Sequence, residues 1–175
     1  MSQSTQSTQA EVANQGIHHL GLATHDMEAT LHFYEGVLGF PARVCDLMNP
    51  QAGGTIRHAF LDAGNGELIA FMECNQVPGI SDDYDPGINR GLGIKGGVIH
   101  FAFKCANAAE LEQKRQELLG KGVKVTDVVD HGWCSSIYFH DPNGLQLEYC
   151  ALTAEYTQAL LADRDSDGWK ALART

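Results

Sequence analysis

The sequence predicts an α+β fold in which a strand–helix–three-strand unit occurs twice within one domain. Three observations carry this expectation. Residues 16–39 and 98–120 both read as a short strand followed by a helix that glycine ends. His19 and His100 occupy the same place in the two first strands. Asp62 to Gly66 and Asp141 to Gly144 correspond as turns ahead of each last strand, with one inserted residue.

The elements follow in order. Residues 1–15 are rich in Ser, Gln and Thr and read as a disordered tail. The first unit covers 16–74. It opens with the strand around His18-His19, and Asp26 is placed to cap a helix whose apolar positions are Met27, Leu31, Tyr34 and Leu38. Gly39 stops that helix, and three strand-like pieces follow, the clearest at 68–72. Residues 75–97 crowd Pro78, Gly79, Pro86, Gly87, Gly91, Gly93, Gly96 and Gly97 and read as a linker or mobile loop. The second unit covers 98–151, with a strand at 98–103 and a helix begun by Asn107 with Glu110 as its capping-box partner. Leu111 and Leu118 form that helix's apolar face, and strands are expected near 123–129, 135–140 and 145–150. Thr153 is placed to cap a C-terminal helix over 152–175, with Tyr156, Leu160 and Leu161 on its apolar side.

Bulk properties exclude several classes of partner. The chain of 175 residues carries a formal net charge of -10, which argues against nucleic acid and anionic membranes. No apolar run approaches a membrane span. The five cysteines form no CxxC pair and no secretory signal is visible, so free thiols in a reducing cytoplasm are expected. A homo-oligomer is expected as well.

Neutral imidazole and carboxylate suit a divalent first-row metal when they converge from rigid elements. Packed side by side, the two units would turn His19 and His100 toward a shared cavity. The last strand of a unit should add a carboxylate. Glu148, four residues after Gly144, meets that need, whereas the first unit has Ala70 four residues after Gly66. Glu67 and Glu73 are an odd number of positions from Ala70 and face the other way in a regular strand. Two histidines and one carboxylate match the facial triad of non-haem Fe(II) enzymes. His18 reads as structural, His25, His32 and His140 as surface or turn residues, and His58 as a further candidate to line the cavity.

Gly16-Ile17-His18-His19-Leu20, continued by Asp26, Phe33-Tyr34 and Val37-Leu38-Gly39, resembles the opening of a glyoxalase/bleomycin-resistance/dioxygenase module. Ile99-His100-Phe101-Ala102-Phe103 resembles the opening of a second. The resemblance spans about 16–151 and implies the vicinal oxygen chelate superfamily: paired βαβββ modules, each an incompletely closed barrel around a metal site. Residues 129–148, from Val129-Asp130-His131 through Ile137-Tyr138 and Asp141-Pro142-Asn143-Gly144 to Glu148, match the signature of type I extradiol ring-cleavage dioxygenases. That resemblance implies a metal held by His19, His100 and Glu148, with His131 lining the substrate pocket and Tyr138 hydrogen-bonding a substrate oxygen. Fe(II) is the metal it implies, with Mn(II) or another divalent ion as the alternative. The substrates would be a small catechol-like aromatic compound and dioxygen. Two rival readings remain: a metal-dependent lyase or isomerase working through an enediolate, and a binding protein that sequesters an aromatic compound. Many extradiol enzymes of this kind carry four modules, and this chain has two.

Overall fold

The structure is a computed structural model that describes residues 16–154. The expected N-terminal tail and nearly all of the expected C-terminal helix lie outside the described residues. The first module contains β1 (His19–Ala23), α1 (Met27–Leu31) continued by a π-helical segment (His32–Leu38), β2 (Ala42–Met48), β3 (Thr55–Gly64) and β4 (Glu67–Asn75). A short helix, α2 (Ile88–Gly91), lies between the modules. The second contains β5 (Phe101–Cys105), α3 (Ala108–Gly120), β6 (Val129–Asp130), β7 (Cys134–His140) and β8 (Gln146–Leu152). The sheet orders are β1-β4-β3-β2 and β5-β8-β7-β6, so the same βαβββ unit is built twice and the fold is α+β as expected.

Local chemistry sets the element ends. The Asp26 carboxylate accepts a hydrogen bond from the Ala29 N–H at 2.9 Å, and Gly39 closes the π-helical segment at φ 79°. Asn107 caps α3 through the Glu110 N–H at 3.0 Å, while Glu110 reaches back to the Ala106 N–H. Asn65 and Gly66 both take positive φ between β3 and β4, the geometry of a two-residue type I′ hairpin.

One segment differs from the sequence expectation. The strand expected at 123–129 shrinks to Val129–Asp130. Thr126 still donates its N–H to the Tyr138 carbonyl, but Arg115 takes the Thr126 carbonyl at 2.8 Å and pairs with Asp127, which pulls this stretch out of the ladder. Residues 76–97 are tied at several points. His25 Nε2 lies 2.6 Å from the Tyr84 carbonyl, Arg90 donates to the Asn143 carbonyl, and the Gly97 N–H donates to Gln146 Oε1 at 2.8 Å.

The core is common to both modules. Ala59, Leu61, Ile69 and Phe71 from the first sheet join Ile137, Phe139, Leu147, Tyr149 and Ala151 from the second, with Phe33, Tyr34 and Leu38 of the π-helical segment and Leu111 and Leu118 of α3. Phe33 lies 6.5 Å from Phe139, ring centre to ring centre, and Phe40 meets Phe103 edge-on at 4.9 Å. Each such side chain, once fully buried, contributes about 1.5–3 kcal/mol. Successive strand residues point to opposite faces. Since Leu147, Tyr149 and Ala151 enter the core, Gln146, Glu148 and Cys150 belong to the other face of β8. The pairing of β1 with β4 makes the same division: Leu20 and Leu22 stand opposite core residues Ile69 and Phe71, which leaves His19 with Leu68 and Gly21 with Ala70 on the opposite face.

A buried polar cluster pins the π-helical segment to the 141–144 turn. The Tyr34 hydroxyl donates to Asp141 Oδ2 at 3.1 Å, Asn143 Nδ2 donates to the same oxygen at 3.0 Å, and the Leu145 N–H donates to Asp141 Oδ1 at 2.8 Å. Thr24 donates to Asn143 Oδ1 at 2.7 Å. Burial pushes the Asp141 carboxyl above the usual carboxylate range, against the hydrogen bonds it receives from Asn143, Leu145 and Tyr34. Burial, followed by the neighbouring Asp141 charge, likewise raises the Tyr34 phenol. Tyr34→Phe removes one donor from this buried carboxyl. It should cost about 1–3 kcal/mol, read as a lower denaturation midpoint with an unchanged m-value.

Candidate metal and active site

The strand registers place the proposed ligands at equivalent points. Gly21 pairs with Ala70 in the first sheet and Ala102 with Glu148 in the second. His19 and His100 each stand two residues before the first member of those pairs. Glu148 and Ala70 therefore correspond, so the second module has a carboxylate where the first has a methyl group.

In the second module two of the candidate ligands meet. His100 Nε2 lies 2.9 Å from Glu148 Oε2, and the Glu148 side chain is only 6% exposed. His100 Nδ1 lies 2.8 Å from the Gly97 carbonyl. A carbonyl oxygen only accepts, so Nδ1 carries the proton. The other ring nitrogen, Nε2, then faces the carboxylate. A buried carboxylate requires such a partner. The donor set, an imidazole oriented by a backbone carbonyl beside a carboxylate, fits a divalent metal ion.

The third candidate ligand stands elsewhere. His19 is exposed, its Nδ1 is 2.8 Å from His18 Nδ1, and its ring packs on Phe60 at 5.4 Å. Among the described residues no group of three His, Cys, Asp or Glu side chains stands close enough to hold a metal. The expected cavity shared by His19 and His100 is thus not formed between the modules of one chain. The reason is the common core: the modules dock through their helix sides, and the ligand-bearing faces look away from that contact. The His18 ring meets that of His19 edge-on at 5.1 Å.

Tyr138 and His131 extend the second module's site. Tyr138 pairs with Glu148 across β7 and β8 and shares its face. Its ring meets that of His100 edge-on at 6.0 Å, and its hydroxyl lies 2.9 Å from His131 Nε2. Burial raises the Tyr138 phenol above its ordinary value; the Glu148 charge adds to this and Ser136 opposes it. The phenol is therefore a proton-bearing donor at neutral pH. Ser136, between Tyr138 and Cys134 in sequence, is fully buried. Ser136 and Gln146 lie on the Glu148 face of β7 and β8, and strand alternation around Glu148 was the signal available to find them in the sequence. His58 is half-buried 3.6 Å from Asp46, on the His19 face of the first sheet. His25, His32 and His140 are exposed, as expected.

The Glyoxalase/Bleomycin resistance protein/Dioxygenase superfamily matches residues 16–149, and the chain belongs to this family. Among curated relatives, the Bacillus subtilis (strain 168) protein MhqA, whose name gives it provisionally as a ring-cleaving dioxygenase, is 25% identical over 141 residues. The alignment covers 79% of this chain and 40% of MhqA, so the chain spans less than half of that relative. Glyoxylase I 4 of Arabidopsis thaliana is 24% identical over 139 residues, covering 77% of this chain and 69% of the relative. Among solved structures, an integron cassette protein from the mobile metagenome of the Halifax Harbour sewage outfall superposes with a TM-score of 0.55 at 25% identity, covering 79% of this chain and all of the other. No helix among the described residues is long and apolar enough to cross a membrane.

His100→Ala and Glu148→Ala each remove one of the two converging donors. The parent is expected to bind about one divalent ion per chain and each variant to lose most of it, measured by elemental analysis; full occupancy in both would exclude this face as the metal site.

Proposed function

We propose that the protein is an Fe(II)-dependent dioxygenase that cleaves a catechol-like ring, with metal ligands His19, His100 and Glu148. The single observation that carries this reading is the hydrogen-bonded pair His131–Tyr138, 2.9 Å apart, beside the His100–Glu148 pair. A bound divalent ion would supply Lewis acidity toward two adjacent substrate oxygens and, as iron, access to dioxygen. The chain's own residues do the rest. Tyr138, a protonated phenol, donates a hydrogen bond to a substrate oxygen. His131, linked to the Tyr138 hydroxyl, takes up or returns a proton at its Nε2. Glu148, buried, presents its carboxyl to His100 away from water. We place the protein in the cytoplasm, in keeping with its five free cysteines.

We further propose that a second copy of the chain completes the site. His19 and the His100–Glu148 pair lie on sheet faces that the common core leaves unpaired. Pairing the first module of one copy with the second module of another would bring the three ligands together, consistent with a homo-oligomer. The test is complementation. His19→Ala and Glu148→Ala are each expected to be inactive, but one of the two sites in a mixed dimer contains only intact ligands. Unfolding and refolding the two variants together should return about a quarter of the parental metal and activity, from random pairing of dimers. No recovery on mixing would place the triad within one chain or exclude it.

A lyase or isomerase acting through an enediolate is the second reading, favoured by the likeness to Glyoxylase I 4. Ala70 weighs against it, because a fourth carboxylate ligand at that register position is absent. Kinetics separate the readings. His131→Ala and Tyr138→Phe should retain metal yet turn over a catechol about a hundredfold or more slowly. Parental ring-cleavage rates in both variants would favour the enediolate reading. Loss of metal in His131→Ala would put that residue among the ligands.

A further inference from the structure

His100 precedes β5, so no sheet ladder holds it: the β5–β8 pairing begins at Phe101. Its backbone is held instead by two side-chain amides. Asn89, in α2 and 9% exposed, grips both sides of residue 99, its Nδ2 donating to the Ile99 carbonyl at 2.7 Å and its Oδ1 accepting from the Ile99 N–H at 3.0 Å. Gln146 Oε1 accepts from the Gly97 N–H at 2.8 Å. The Gly97 carbonyl then meets His100 Nδ1 at 2.8 Å. Gly97 adopts φ +62°, and a Cβ there would stand 3.2 Å from Gln146 Nε2, so glycine is suited to this approach. Gln146 is two residues before Glu148 on the same face of β8.

From this arrangement we infer that Asn89 and Gln146 are positioning residues for His100. They fix the backbone at 97–99 so that the Gly97 carbonyl takes the Nδ1 proton and Nε2 is turned to Glu148. Because Gln146 and Glu148 share a strand, the element that supplies the carboxylate also sets the distance of the imidazole from it. The segment between the modules is thereby part of the site, and the ties of 87–99 to β8 have a function beyond joining two modules. The inference rests on the reading of His100 as a ligand, but its core claim, the tautomer of His100, is tested on metal-free protein.

The experiment uses the full chain labelled with ¹⁵N-histidine at a pH of about 8.5, where an unperturbed imidazole is neutral. His100 is assigned by comparison with His100→Ala. Its Nδ1 should carry the proton in the parent. In Gln146→Met, which keeps length but loses the acceptor, and in Asn89→Ala, the Nε2–H form should appear. Gln146→Glu retains an acceptor oxygen and should restore the parental tautomer. Binding of Mn(II), followed by its paramagnetic resonance, should weaken about ten- to hundredfold in Gln146→Met. An Nε2–H tautomer in the parent, or a parental tautomer in Gln146→Met, would overturn the inference, and so would a change in thermal stability with the tautomer untouched. If Asn89→Ala fails to fold, the partly exposed Gln146 position still decides the matter. A parent that binds no Mn(II) would defeat the metal reading alone, with the tautomer deciding the clamp independently.

Discussion

The docking of the first module's helix onto the second module's sheet governs everything else in this molecule. Phe33 and Tyr34 enter a core that both sheets share, and the Tyr34 hydroxyl reaches Asp141 in the turn that leads to β8. A carboxyl at 6% exposure tolerates that position only because Tyr34, Asn143 and the Leu145 N–H all donate to it. Each partner lost would leave a buried acceptor short of donors. The contact also determines where the chemistry lies: once the helix sides are committed to a common core, the opposite sheet faces are the ones left for ligands.

On the second module that free face is electrostatically uneven. Glu148 is buried, while His100 beside it remains about a third exposed. The imidazole is held from behind by a backbone carbonyl, which leaves its other nitrogen to answer the carboxylate. Such a pair is poised for a cation whatever reaction follows. The family's own description spans glyoxalases, resistance proteins and dioxygenases. What distinguishes them must come from residues around the ligands, since a shared fold does not specify a reaction. On the reading proposed above, those residues are Tyr138 and His131 on one side and Ala70 in the other module.

Much of this was legible in the sequence because it depends on short-range rules. Asp26, Asn107, Gly39 and the Asn65-Gly66 turn each act within a few residues, and all take the roles their chemistry suggested. The equivalence of His19 with His100, and of Ala70 with Glu148, follows from strand alternation and a repeated spacing, and the registers bear it out. One expectation failed where a distant side chain intervened. Arg115, on α3, draws Thr126 and Asp127 out of an expected strand. The contacts of Asn89 with Ile99 and of Gln146 with Gly97 likewise join residues that no local pattern links.

By itself, then, the sequence determined the two βαβββ modules, the family, and the residue types that could hold a metal, because periodicity, capping and turn chemistry are properties of neighbouring residues. Only the tertiary structure decided which of those residues stand together. His100 and Glu148 converge because β5 pairs with β8 in a fixed register. His19 stays apart because the modules meet through their helix sides, where Phe33 and Phe40 find apolar partners in the second sheet. The sum of those contacts, and not any local pattern, sets the orientation of one module against the other.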